Sequence, residues 1–180
     1  MRPGPGEVLH FSEDPTITLF VPHTAPTALQ PEPYVWAVDA ARSPDYWFPR
    51  ACPRAMAWAL PSSSQADRRY VLGPGGGDRV HAIEYGWLPA VRAATVYAYR
   101  LPAVLFRPFS AADPYAQVAT EPVRPLGPPE PAGDLLALHE RAGIQLRVLD
   151  NLWPFWDEVV TSTLGHSGIR LRNARPRPGG

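Results

Sequence analysis

The sequence predicts an α+β fold: a mostly antiparallel, split β-sheet core followed by two C-terminal helices. Three observations lead there. Short β-branched and aromatic runs recur between turn residues from Val8 to Leu126. The 24 prolines and 14 glycines among 180 residues keep every element short. Helical spacing of apolar residues becomes clear only after Gly133. With 45% hydrophobic and 19% charged residues, the chain has enough apolar surface to fold.

The elements follow in order. Val8–Ser12 and Ile17–Val21 read as strands joined through Glu13-Asp14-Pro15, which is good turn chemistry. A Pro-rich loop, Pro22–Pro33, leads to a strand over Tyr34–Asp39. Ser43-Pro44-Asp45 has the form of a helix cap, and Pro49 stops the turn it starts. Arg54–Leu60, Tyr70–Leu72, Val80–Trp87 and Thr95–Leu101 are read as strands, with Gly73–Gly77 as a hairpin loop. Ala116–Thr120 and Val123–Leu126 are confined to edges or bulges by Pro122 and Pro125. Asp134 caps a helix over Leu135–Ala142 with Gly143 as its stop. Gln145–Leu149 is a strand, Asn151 caps the last helix, and Ile169–Arg172 is the final strand candidate. The strands from Val8 to Leu126 are expected to form two packed sheets in one domain spanning 1–180, with a flexible leader (1–7) and tail (174–180).

Composition excludes several functions. Seventeen basic residues balance seventeen acidic ones, which argues against a general polyanion-binding surface. All seventeen are arginine, so Schiff-base and lysine-nucleophile chemistry is excluded. Cys52 is the only cysteine, which rules out an intrachain disulfide and a thiolate metal cluster. No apolar run approaches the roughly 18 residues of a membrane span. The first six residues have no apolar core of a signal peptide, and a cytoplasmic location is the expectation.

The candidate site begins at the first strand. Alternation points His10 and Ser12 the same way, and an imidazole beside a hydroxyl can grip a ribose diol or a phosphate edge. Tyr34 and Trp36 could supply a stacking wall, or could simply be core aromatics. His10 likewise reads either as a ligand or as a satisfied interior histidine. His81-x-x-Glu84 has side chains facing opposite ways on a strand, and with no second histidine nearby in sequence no metal site is expected. Gly73–Gly77 lacks the Gly-Lys-Ser/Thr ending of a phosphate-binding loop.

The runs "LHFSEDPTITLFVPH", "PYVWAVDAARSPDYWFPRACPRAMAW" and "GDLLALHERAGIQLRVLDNLWPFWDEVVTSTL" resemble an uncharacterised bacterial family of short single-domain proteins. More distantly, the order of a His-x-Ser strand, a Pro-rich loop, a "YVWA" strand and a late Pro-rich edge is similar to ADP-ribosyltransferase-like folds. That resemblance implies NAD as cofactor, with His10 and Ser12 on the ribose and Tyr34 or Trp36 on the nicotinamide. The position aligned with the family's catalytic glutamate holds Gln117, with Glu121 four residues on. Glutamine bonds a hydroxyl but cannot stabilise a developing oxocarbenium charge, so weak or no transferase activity is implied. The alternative expectation is a non-enzymatic protein-interaction domain with an aromatic binding face.

Overall fold

A computed structural model describes residues 1–24, 32–75, 77–110 and 115–179. The predicted Pro-rich loop falls largely on 25–31, outside the described residues, as do Gly76 and positions 111–114. The first five strands are β1 (Glu7–Ser12), β2 (Val35–Val38), β3 (Arg54–Trp58), β4 (Arg79–Glu84) and β5 (Tyr97–Pro102). The second five are β6 (Arg107–Pro108), β7 (Ala116–Ala119), β8 (Glu130–Pro131), β9 (Gln145–Leu149) and β10 (Gly165–Ile169). Four helices accompany them: α1 (Gln65–Asp67), α2 (Leu88–Ala93), α3 (Leu135–Arg141) and α4 (Trp153–Thr161). The expected mixed α+β class is what forms, with two sheets and the two helices at the C-terminal end.

The chain divides into two compact units, each made from two separate stretches. Unit 1 is Met1–Trp47 with Thr95–Gly133, and unit 2 is Phe48–Ala94 with Asp134–Gly180. Unit 1 holds a six-stranded sheet in the order β6-β7-β2-β1-β5-β8, with every neighbouring pair antiparallel. Unit 2 holds the four-stranded sheet β10-β3-β4-β9, in which only β4 and β9 run parallel. The expectation of two sheets built from Val8–Leu126 is therefore corrected, because β9 and β10 lie beyond Leu126.

One face of the unit 1 sheet buries Val8, Val35, Ala37, Tyr99, Leu101 and Ala119, with Phe20 and Val123 laid over it. Ile17–Val21 is not a strand: its one ladder contact is the bridge between Phe20 and Val123. Tyr99 accounts for this, because its hydroxyl donates to the Asp14 carbonyl at 2.6 Å and accepts from the Ile17 amide at 3.1 Å. The Ile17 amide is thereby bound to a side chain, and only Phe20 pairs its backbone with another segment.

In unit 2, α4 covers one face of the sheet with Leu152, Phe155, Trp156 and Val159 against Ala55, Ala57, Val80 and Ala82. The alanines let the helix approach closely. Tyr70–Leu72 is helical, not extended: Ser64 caps α1 by accepting from the Asp67 amide at 3.0 Å, and the coil continues through Arg68–Leu72. Arg147 ends it, donating to the carbonyls of Val71 and Leu72. The strand expected over Val80–Trp87 stops at Glu84, where a turn over Tyr85–Trp87 leads into α2. Asp134 caps α3 as expected, accepting from Leu136 and Ala137, and Gly143 follows with φ +65°. The last strand is Gly165–Ile169, with Leu171–Asn173 forming a turn.

Gly165 has no room for a side chain, since a Cβ there would fall on the Trp58 indole, 2.5 Å from its Cε2. Gly165→Ala is expected to destabilise the protein by about 1–3 kcal/mol through overpacking. The check is a lower urea midpoint at unchanged slope.

Candidate functional site

Strand pairing decides which candidate residues meet. Val8 and Ala37 share one core cluster, so alternation places His10 and Ser12 on that face of β1. Across the ladder His10 is opposite Tyr99 and Ser12 opposite Tyr97, while Ala37 is opposite Gln117. His10 and Gln117 therefore face the same way on β1 and β7, two strand spacings apart or about 10 Å. Between them stands Ala37, buried in the core cluster.

Tyr34 and Trp36 alternate with Val35 and Ala37 and so belong to the opposite face. The expected single cleft of His10, Ser12 and an aromatic wall is corrected on this point. The two aromatics instead form a cluster with Phe109, at ring-centroid distances of 4.8 Å from Trp36 and 6.2 Å from Tyr34. Arg107 lies over the Tyr34 ring at 5.7 Å. Glu121 is exposed, beyond the end of β7.

The His10 imidazole is fixed in orientation. Its Nδ1 is 2.8 Å from the Trp36 carbonyl oxygen, which can only accept, so Nδ1 carries a proton and donates to it. Phe20 packs on the ring at a centroid distance of 4.6 Å. The Ser12 hydroxyl accepts from the Asp14 amide at 3.1 Å and keeps its own proton to donate. Burial holds the Tyr99 phenol above its ordinary range, which suits its fixed structural bonds.

A second polar constellation lies in unit 2, and the sequence reading missed it. Arg79 Nε donates to His81 Nε2 at 2.9 Å, and His81 Nδ1 is 3.0 Å from His139 Nε2. His139 Nδ1 is 2.7 Å from the Leu135 carbonyl oxygen. The two ends fix the direction of the relay: Arg79 can only donate, so His81 Nε2 accepts and His81 donates from Nδ1 to His139 Nε2, while His139 donates from Nδ1 to Leu135, which leaves both rings neutral. Phe48 packs on both rings, and Arg54 sits over Phe48 at 5.2 Å. Burial lowers the His139 pKa, with Arg79 and Arg54 acting in the same direction. So a second histidine does lie beside His81, contributed by α3, 58 residues away. Among the described residues no group of three His, Cys, Asp or Glu is placed to hold a metal ion. Cys52 is inert as a nucleophile, because burial pushes its thiol up to about 12.

A family model described as a family of unknown function, DUF6886, matches residues 9–174. The chain belongs to that family. The matched span of this DUF6886 chain takes in both constellations, from His10 on β1 to Ala174 beyond β10. No curated protein and no solved structure matches it. Within the described residues of the DUF6886 chain, no helix is long and apolar enough to cross a membrane.

Proposed function

We propose that unit 1 binds NAD or a related ribonucleotide on the face bearing His10, Ser12 and Gln117, with weak or no ADP-ribosyl transfer. The observation that carries this reading is the polar row itself: His10 and Gln117 share one face with the one-carbon side chain of Ala37 between them. Both remain half-exposed, whereas the apolar residues around them are buried. The resemblance of the first strand and the Pro-rich edge to ADP-ribosyltransferase-like folds supports the same assignment. Tyr34, Trp36 and Glu121 take no part in it, since the aromatics face the other way and Glu121 lies outside the strands.

Gln117→Glu is the direct test. Glutamate preserves the shape and adds the charge that stabilises an oxocarbenium-like transition state, worth on the order of 10²–10³ in rate. Calorimetry with NAD is expected to show binding to both proteins, and nicotinamide release is expected to rise only in the variant. Absence of NAD binding to the wild type would remove the reading.

The second reading, a protein-interaction domain, is favoured by the Tyr34–Trp36–Phe109 cluster. It lies beside the two-residue edge strand β6, whose Arg107 and Pro108 are both exposed. Aromatic anchors next to a sheet edge suit an extended peptide.

A further inference from the structure

We propose that unit 2 binds a small aromatic zwitterion, a free α-amino acid with an aromatic side chain, in the groove between the coil Arg68–Leu72 and α4. The site lies wholly in unit 2 and is independent of the ribonucleotide reading. Tyr70, Val71, Arg147, Pro154, Phe155 and Glu158 line it, around about 420 Å³. That volume falls within the roughly 300–1,000 Å³ of small-molecule sites.

The local sequence builds both walls. Pro154 and Glu158 are four residues apart on α4, so helical spacing stacks them on one face beside Phe155. The coil opposite buries Val71 and turns Tyr70 outward, leaving that residue 70% exposed. Arg147, from β9, joins the walls. Its guanidinium donates to the Val71 and Leu72 carbonyls and lies over the Phe155 ring at 5.7 Å.

Two groups of this groove carry opposite charge and are not paired with each other. Arg147 is half-buried, and burial lowers its pKa, yet a guanidinium keeps its proton. All its hydrogen-bond acceptors are neutral: two carbonyls and the Gln145 Oε1. They use three of its five N–H groups, so two remain. A partly desolvated cation without a counter-charge is costly, which makes Arg147 the seat of a ligand carboxylate. The Glu158 carboxylate also lacks a partner among the described residues, whereas its neighbour Asp157 pairs with Arg177 and Asp150 pairs with Arg175.

Arg147 alone would select an anion, and Glu158 alone a cation. Together they disfavour either and favour a molecule carrying one charge of each sign. The exposed Tyr70 ring, with Pro154 and Phe155 across the groove, gives an aromatic group a surface to pack on. An aromatic α-amino acid is a small molecule that supplies all three features: carboxylate, ammonium and ring.

The test is calorimetry of the full chain at neutral pH with L-tryptophan, tryptophan amide, N-acetyltryptophan and L-alanine. L-Tryptophan is expected to bind with a Kd of about 1 mM or tighter. The other three lack the carboxylate, the ammonium and the ring in turn, and each is expected to bind at least about tenfold more weakly. Glu158→Gln and Tyr70→Ser change exposed side chains. Glu158→Gln is expected to weaken tryptophan about tenfold while leaving N-acetyltryptophan unchanged, and Tyr70→Ser to weaken tryptophan about fivefold. The analogue series on the wild type decides the question even if a variant misfolds. No binding of tryptophan at millimolar concentration overturns the proposal. So does tryptophan amide or N-acetyltryptophan binding as tightly as tryptophan, or Glu158→Gln binding tryptophan as the wild type does. None of these readouts involves a nucleotide, so NAD binding by unit 1 is decided separately.

Discussion

His139→Ala is expected to cost unit 2 about 3–5 kcal/mol, one of the two largest effects of a single substitution in this chain. The imidazole is almost wholly buried and accepts from His81, so its removal leaves a cavity and a buried N–H without its acceptor. Acid should reproduce part of that loss in the wild type. The His139 pKa is lowered in the folded protein, chiefly by burial, so the unfolded chain takes up the proton first. Stability from this group is complete above the unfolded value of 6.5 and declines as the pH falls from there towards the folded pKa. Protonation would also destroy the Nε2 acceptor and place a third cation beside Arg79 and Arg54. Thermal melts from pH 8 to pH 5 are expected to show a falling melting temperature for the wild type and a flatter curve for His139→Ala. Parallel curves for the two proteins would refute the relay as the source.

Glu84→Ala is expected to cost a similar amount, about 3–5 kcal/mol, by a different route. The Glu84 side chain is 2% exposed and accepts from the Leu152 amide at 3.1 Å, at the start of α4. It also accepts from the Arg175 amide at 3.0 Å. Bonds to a charged group contribute roughly 1.5–3 kcal/mol each, and their loss strands two amides. Residues 174–179, expected from the sequence to be a flexible tail, are bound further by Trp153 Nε1 to the Arg175 carbonyl at 2.7 Å and by Asn151 to Pro176. Arg177 lies over the Trp153 ring at 4.2 Å. Limited proteolysis should therefore cut Glu84→Ala within 174–179 well before the wild type, under conditions where both remain folded.

Local chemistry in the sequence was readable wherever the cause was local. Asp134 before Leu135 capped its helix, Gly143 ended it, and alternation put His10 and Ser12 on one face. Misreadings arose where distant residues decide. Tyr70–Leu72 looks extended by residue type, but it is held helical by the Ser64 cap and by Arg147, some 75 residues away. The start of α2 was concealed because the β-favouring pattern of Val80–Trp87 runs on from β4 through Tyr85 and Trp87 into the turn before it. Whether Tyr34 and Trp36 share a face with His10 depends on strand register, and a slip of one residue reverses the answer. The His81–His139 pair is invisible for the same reason, since nothing near either residue marks the other.

The interleaving of the two units along the chain sets the order in which the protein can form during synthesis. β1 waits for β5, about ninety residues downstream, where His10 meets Tyr99. At about 5–20 residues per second the ribosome takes roughly 5–18 s to supply that partner. Before then the aromatic strand β2 has neither β1 docked against β5 nor β7 beside it. Unit 2 waits longer still, because β3 and β4 precede β9 and β10, and the Glu84 carboxylate meets its two donor amides only after Leu152 and Arg175 have been made. Unit 1 has all its strands once Gly133 is made, whereas β3 and β4 of unit 2 carry open edges until β9 and β10 follow, the stage at which aggregation competes with folding.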